Sequence, residues 1–199
     1  MKLVICDFDG MLLPDKGELS YQAFKTQVPE LTLDEYLSWF DGNVHVSVAA
    51  RGVAEHLPAF FADYARAIAP LTMGGDLRAV IEELGQHFPL AIISSNSADT
   101  IRTYLKRSGV QRSFRHILGH EEHTSKVAKF GLLCSLYKVC PSDCCFVTDT
   151  LGDIREATVV GMPCIGVTWG FHSRERLAPG RPTAIVDTPS ELLALLLKK

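Results

Sequence analysis

Leu3-Val4-Ile5-Cys6-Asp7-Phe8-Asp9-Gly10 is an apolar run that stops on two carboxylates one residue apart. Four consecutive apolar residues bounded by a turn signal read as a strand buried on both faces. Strand geometry sends the side chains of Asp7 and Asp9 to opposite faces unless the strand ends between them. A turn at that point brings both to one opening, and Gly10 supplies the flexible backbone for it. Unpaired, two buried carboxylates are costly, and a divalent cation offsets their repulsion. Taken alone, Asp-x-Asp-Gly is also an ordinary turn after a strand. A second acidic pair changes its weight. Asp149 and Asp153 follow the apolar run Cys144-Cys145-Phe146-Val147. Two strands that both end in acidic turns point to one shared site.

The remaining chain bounds the possibilities. Its 199 residues fit one core with a small insertion. With 47% hydrophobic and 22% charged residues the composition is that of a soluble globular protein. A net charge of −3 carries no electrostatic footprint for nucleic acid or an anionic membrane. No apolar run is long enough to span a bilayer, and the short run after Met1-Lys2 is not a signal peptide. The six cysteines lie mostly in apolar segments and read as buried thiols of a cytoplasmic protein. Cys140, Cys144 and Cys145 cluster, but without the paired spacing of a zinc site.

Strand candidates at residues 2–7, 89–94, 115–119, 144–148, 163–168 and 184–187 alternate with helical patterns near 76–87, 98–107, 126–138, 153–160 and 189–198. This alternation predicts an α/β fold with a mostly parallel, Rossmann-like sheet. Ser97 or Asn96 caps the second of these helices and Gly109 stops it. Thr188-Pro189-Ser190-Glu191 is a capping box opening the last. Residues 14–73 break the alternation. Thr32-Leu33-Asp34-Glu35 is a further capping box, His56-Leu57-Pro58 marks a break, and Phe60, Phe61, Tyr64 and Ile68 repeat at helical spacing. The expected organisation is a core of residues 1–13 and 74–199, with an all-helical cap over 14–73.

Ligands of open parallel sheets bind beyond the carboxyl ends of the strands. The residues placed there are Asp7 and Asp9; Ser94, Ser95 and Asn96; His120 to Glu122; Asp149 and Asp153; and Trp169 to His172. From the residues alone, Ser94 and Ser97 compete with Ser95, and Lys129 competes with Lys126 one helical turn away. Asp153 also reads as a helix N-terminal acid favoured by the dipole.

Asp7-x-Asp9-Gly10, Ser95 after Leu90-Ala91-Ile92-Ile93, Lys126 at a helix start and Asp149-x-x-x-Asp153 occur in this order. Together they resemble the four motifs of the haloacid dehalogenase superfamily, in its phosphatase branch. The helical insertion resembles the small cap of the phosphoglycolate-phosphatase-like subgroup. Gly166-Val167-Thr168-Trp169-Gly170 resembles the strand and turn after the fourth motif.

The resemblance implies a magnesium-dependent phosphatase acting on a small phosphorylated metabolite. Asp7 would attack phosphorus to form an aspartyl-phosphate, and Asp9 would serve as general acid and then base. Mg2+ would be held by the Asp7 and Asp149 carboxylates and the Asp9 backbone carbonyl, with Asp153 as a supporting anchor. Ser95, Asn96 and Lys126 would bind the phosphoryl group. In the cap, Asn43 and Arg51 resemble substrate-contacting positions, Arg51 as a partner for a second anionic group.

Two residues depart from the pattern: Met11, where a small or β-branched residue is usual, and Thr148, where Gly is common. A phosphotransferase or sugar-phosphate mutase uses the same core, and a non-catalytic binding module would retain it without turnover. A hydrolytic dehalogenase needs neither magnesium nor a second acid, so Asp9 with Asp149 argues against it. His120-Glu121-Glu122-His123 reads as a metal-like cluster or a polar loop, and His172 as a loop histidine bordering the site. Oligomeric state is not encoded in any of these features.

Overall fold

A computed structural model describes residues 1–198. Six parallel strands form one sheet in the order β3-β2-β1-β4-β5-β6. They are β1 (Leu3–Cys6), β2 (Leu90–Ile93), β3 (Phe114–Leu118), β4 (Cys144–Thr148), β5 (Cys164–Val167) and β6 (Ala184–Val186). The helices of the sheet-forming part are α5 (Gly75–His87), α6 (Ala98–Arg107), α7 (Lys126–Tyr137), α8 (Leu151–Val159), α9 (Arg174–Leu177) and α10 (Pro189–Leu197). Between β1 and α5 lie α1 (Glu18–Lys25), α2 (Leu33–Ser38), α3 (Val44–Ala50) and α4 (Leu57–Ile68), with no strand among them.

Successive residues of β1 enter different cores, as a strand covered on both faces requires. Val4 and Cys6 join the cluster built with Leu77, Ile81, Ile101 and Leu192, while Leu3 and Ile5 join the one built with Phe130, Leu133, Ile154 and Ala157. Helices therefore cover both faces of the sheet. Along the chain the strands first step from β1 to β2 and β3, then restart on the other side of β1 at β4. The reversal lies between β1 and β4, whose register pairs Cys6 with Val147. In an open parallel sheet a crevice forms at such a switch point. Asp7 and Asp149 leave the sheet beside it.

Local signals account for the helix ends. Thr32, Ser97 and Thr188 are N-caps whose hydroxyls accept from the backbone N–H three residues on. Glu191 completes the last cap by accepting from Asp187 N. Pro58 lies in the first turn of α4, so His56-Leu57-Pro58 starts a helix there. Helix α1 begins at Gly17, whose φ of 79° and lack of a capping side chain leave no N-cap signature to read. Helix α8 starts at Leu151, placing Asp153 in its first turn.

A third apolar cluster, with Phe24, Tyr36, Trp39 and Val48 at its centre, lies within the helices between β1 and α5. Helix α4 is shared, because its Tyr64 and Ile68 pack with the cluster of Val4 and Cys6. All six cysteines are free, and Cys140 alone is exposed. Among the described residues no helix is long and apolar enough to cross a membrane.

Candidate active site

The Asp7 backbone N–H still bonds to Val147 O at 2.9 Å, the last rung between β1 and β4. The chain then turns, with Leu12 N donating to Phe8 O and Gly10 N to Leu13 O. Gly10 adopts φ +76°, and a β-carbon there would lie 1.8 Å from Asp149 Oδ2. Gly10 thus meets two demands, a left-handed backbone and close approach to Asp149. Gly170 bounds the same carboxylate from the other side, where a β-carbon would lie 2.3 Å from Oδ2.

Lys126, at the start of α7, reaches Asp7 Oδ2 at 2.8 Å and Asp153 Oδ2 at 2.5 Å. The Lys126 side chain is only 4% exposed, so the pair contacts are dry. Lys129 is directed elsewhere, donating to Ser94 O at 2.5 Å and Gly119 O at 3.1 Å. It ties together the chain segments beyond β2 and β3. Burial and the nearby Lys126 lower its ammonium to about 8. Burial opposes charge on Lys126 too, but Asp153 and Asp7 beside it raise that ammonium above its ordinary value.

The carboxylates differ in support. Asp7 Oδ1 accepts from Phe8 N at 2.8 Å, yet burial outweighs Lys126 and raises this group well above the ordinary range. Burial also opposes charge on Asp153, but Lys126 prevails and lowers it. Thr148 Oγ1 donates to Asp153 Oδ2 at 2.6 Å. Thr148 therefore holds this anchor in place, a role its bulk concealed in the sequence. Asp149 Oδ2 accepts from Phe171 N at 2.7 Å, whereas its buried Oδ1 has no partner among the described residues. Burial pushes Asp149 up to about 8.

Asp9 faces a different set of groups. Tyr64 of α4 donates to its Oδ1 at 2.6 Å, and Asn96 Nδ2 approaches both oxygens at 3.3 and 3.4 Å. Burial raises Asp9 to about 6, against the pull of these two hydrogen bonds. Tyr64 was legible only as one member of an apolar helical repeat; nothing in the spacing marks its hydroxyl.

Two adjoining cavities open on these groups. Asp7, Lys126, Asp153, Asn43 and Glu156 line a polar one. An aromatic one extends beneath α3 and α4. Asp9 and Ser95 border both. The competing serines are used differently: Ser94 Oγ accepts from Asn96 N, and Ser97 caps α6. Asn96 lines the aromatic cavity and supports Asp9. Asn43 caps α3 and donates to Thr124 O at 3.0 Å. Glu156, which the sequence did not single out, accepts from Lys126 N at 3.0 Å and stands one helical turn after Asp153. Arg51 lines neither cavity; it is exposed, donates to Ser47 O and lies 5.5 Å over the Trp39 ring.

His172 is a buried link, with Nδ1 accepting from Leu151 N and Nε2 facing Leu37 O, both at 3.0 Å. In the His120–His123 stretch, Glu121 accepts from Ala98 N and His123 from Ser125 N. Among the described residues no three His, Cys, Asp or Glu side chains group as a metal-binding set. A cation shared by Asp7, Asp149 and the Asp9 carbonyl needs only two side chains. Three features fit it: hard oxygen donors, the unpartnered Asp149 Oδ1, and three buried carboxylates against the single ammonium of Lys126.

The haloacid dehalogenase-like hydrolase family model matches residues 4–167. A Dickeya dadantii protein named probable phosphatase IndB is 31% identical across 96% of this chain and 91% of its own length. A phosphoglycolate phosphatase of Synechococcus elongatus is 33% identical over 104 residues, 52% of this chain and 49% of that protein. Among solved structures, a haloacid dehalogenase-like family hydrolase of Streptococcus pneumoniae superposes with a TM-score of 0.84, at 21% identity and 98% coverage of each chain.

Proposed function

This chain belongs to the haloacid dehalogenase-like hydrolase family, and from that premise we propose that it is a magnesium-dependent phosphatase of a small phosphate monoester. The observation that carries this reading is the Lys126 ammonium held between Asp7 and Asp153 at the sheet's switch point, beside an unpartnered Asp149 oxygen.

The Asp7 carboxylate attacks phosphorus, the bond from phosphorus to the alcohol oxygen breaks, and an aspartyl-phosphate forms. Asp9, at the border of the two cavities, gives its proton to the departing oxygen. It then takes a proton from the water that hydrolyses the aspartyl-phosphate. Its position near 6 lets one carboxyl serve both half-reactions close to neutral pH. Lys126 neutralises phosphoryl charge and orients Asp7, while Asp153 and Thr148 hold Lys126 in place. Ser95, where the cavities meet, donates to a phosphoryl oxygen. The Asp7 and Asp149 carboxylates and the Asp9 carbonyl would hold Mg2+, which would supply charge neutralisation for the phosphoryl group. Residues 14–73 act as a cap that excludes bulk water from the polar cavity.

The test is a panel of phosphorylated metabolites assayed with Mg2+ and with EDTA, on wild type and Asp7→Asn. Release of inorganic phosphate that needs the metal and vanishes in the variant is the expected result. A folded wild type that turns over no ester in the panel would overturn the reading. Transfer of phosphate to a hydroxyl acceptor would identify a phosphotransferase.

A further inference from the structure

Asp153 and Glu156 stand three residues apart on α8 and so share one of its faces. Between them they grip Lys126 at both ends. Asp153 Oδ2 holds its ammonium at 2.5 Å, and Glu156 Oε1 accepts from its backbone N–H at 3.0 Å. The second contact answers a deficit in α7. Among the described residues its N-cap, Ser125, makes no side-chain capping hydrogen bond, and its first turn has no acidic residue. The helix begins instead with Lys126, and Lys129 follows one turn later. A cation at that end faces the positive pole of the helix dipole, and the first backbone N–H groups have no acceptor within the helix. Glu156 supplies from α8 the carboxylate that α7 lacks.

The same carboxylate meets the helices inserted between β1 and α5. Asn43 Nδ2 approaches both Glu156 oxygens at 3.3 Å and donates to Thr124 O at 3.0 Å, two residues before Lys126. Ser125 Oγ donates to Glu156 Oε1 at 3.2 Å. The Asn43 amide is fixed in orientation, because its Oδ1 accepts from His45 N and Val46 N at the start of α3. The seam is close at the backbone too: a β-carbon on Gly152 of α8 would lie 2.2 Å from Gly42 O. Glu156 is therefore the point where the start of α3, the loop before α7 and Lys126 meet. Asn43, Glu156 and Lys126 all line the polar cavity.

Resting on the phosphatase reading, we propose that Glu156 is a positioning residue, which fixes Lys126 for the phosphoryl group and makes that placement depend on the cap. Glu156 acts through the lysine, whose ammonium meets the phosphoryl oxygens from the position that the start of α7 gives it. A displacement of about 1 Å in such a group costs up to about a hundredfold in rate. Asn43 couples this position to the cap, because a cap drawn away from α8 removes one of the donors that hold the Glu156 carboxylate. The ties from Asp41 to Arg155 and Arg176 fasten the same helices at a different place.

Two measurements test it: amide exchange followed by NMR, and kinetics with Mg2+ on the best-hydrolysed ester of the metabolite panel. Glu156→Ala is expected to speed exchange of the Lys126 N–H by about tenfold or more, and to lower kcat by about tenfold or more with KM within about threefold. Glu156→Gln keeps an acceptor for Lys126 N and should recover most of kcat. Asn43→Ser keeps an oxygen to cap α3 but lacks the amide, so it should lower kcat. Combined with Glu156→Ala, its loss should be smaller than the product of the two single losses. Asp41→Asn loosens the same helices at Arg176 instead and should leave kcat within about twofold. Unchanged Lys126 exchange in Glu156→Ala overturns the inference whatever the kinetics. So does a rise in KM at constant kcat, or an Asp41→Asn loss equal to that of Glu156→Ala, since either would make Glu156 a cap contact alone. Losses that multiply in the double variant overturn the dependence on the cap. Should Glu156→Ala not fold, Glu156→Asp, one methylene shorter, carries the same comparisons. A folded wild type that turns over no ester overturns the phosphatase reading instead, and Lys126 exchange then decides by itself whether Glu156 holds the lysine.

Discussion

Lys126 and Lys129 are one helical turn apart, yet their surroundings separate them completely. Lys126 ends on two carboxylates and Lys129 on two backbone carbonyls. Removing the ammonium from Lys126→Met leaves Asp7 and Asp153 buried and unpaired, a loss of about 3–5 kcal/mol in urea unfolding. Phosphate release should fall by more than about a hundredfold. Lys129→Met should lower the melting temperature but keep turnover within about tenfold. Equal turnover in the two variants would contradict this division. Tyr64 offers a second contrast. Its hydroxyl bonds to the charged form of Asp9, so Tyr64→Phe raises the Asp9 pKa above its value of about 6. The alkaline limb of the pH–rate profile, where Asp9 must still be protonated to act first as an acid, should therefore move to higher pH. An unmoved limb would assign that titration to another group.

The short turn before α3 is fastened to the sheet-forming part through Asp41. Arg176 of α9 meets both Asp41 oxygens at 2.8 Å, and Arg155 of α8 donates to Asp41 O at 2.6 Å. The Arg176 guanidinium holds the Asp41 carboxyl below its usual range. A lowered carboxyl stabilises the fold above the unfolded pKa and loses that contribution as pH falls through the folded one. Asp41→Asn should cost less than about 1 kcal/mol at pH 7, because the pair is partly solvated. The gap between variant and wild type in urea should close as pH falls from 5 towards 3. A pH-independent gap would mean that the contact acts through packing instead.

Across the whole molecule, the buried acidic groups of the proposed Mg2+ site would couple metal binding to folding. Without Mg2+, Asp149→Asn should be at least as stable as wild type, since burial opposes the charge it removes. Added Mg2+ should stabilise wild type, by about 2.7 kcal/mol at a hundred times Kd, and the variant hardly at all. Thermal melts with and without EDTA check both halves, and an equal response in the two proteins would remove Asp149 from the metal site. How much of the molecule was legible differs by feature. Period and punctuation revealed the six strands within two residues at either end, most plainly β1, β2, β4 and β5, because a strand buried on both faces is nearly continuously apolar and ends on turn residues. Helix α1 escaped notice because Gly17 offers no capping side chain. The order of acidic, serine and lysine motifs was readable because each stands just past a strand or at a helix start. By itself the sequence determined the α/β class, the parallel sheet and the family, since these depend on local periodicity and short motifs. Only the tertiary structure decided which lysine meets Asp7, that Tyr64 bonds to Asp9, that Arg51 lies outside and that an aromatic cavity adjoins the acidic one. Those contacts join residues dozens of positions apart, and spacing along the chain says nothing of which side chains packing brings face to face.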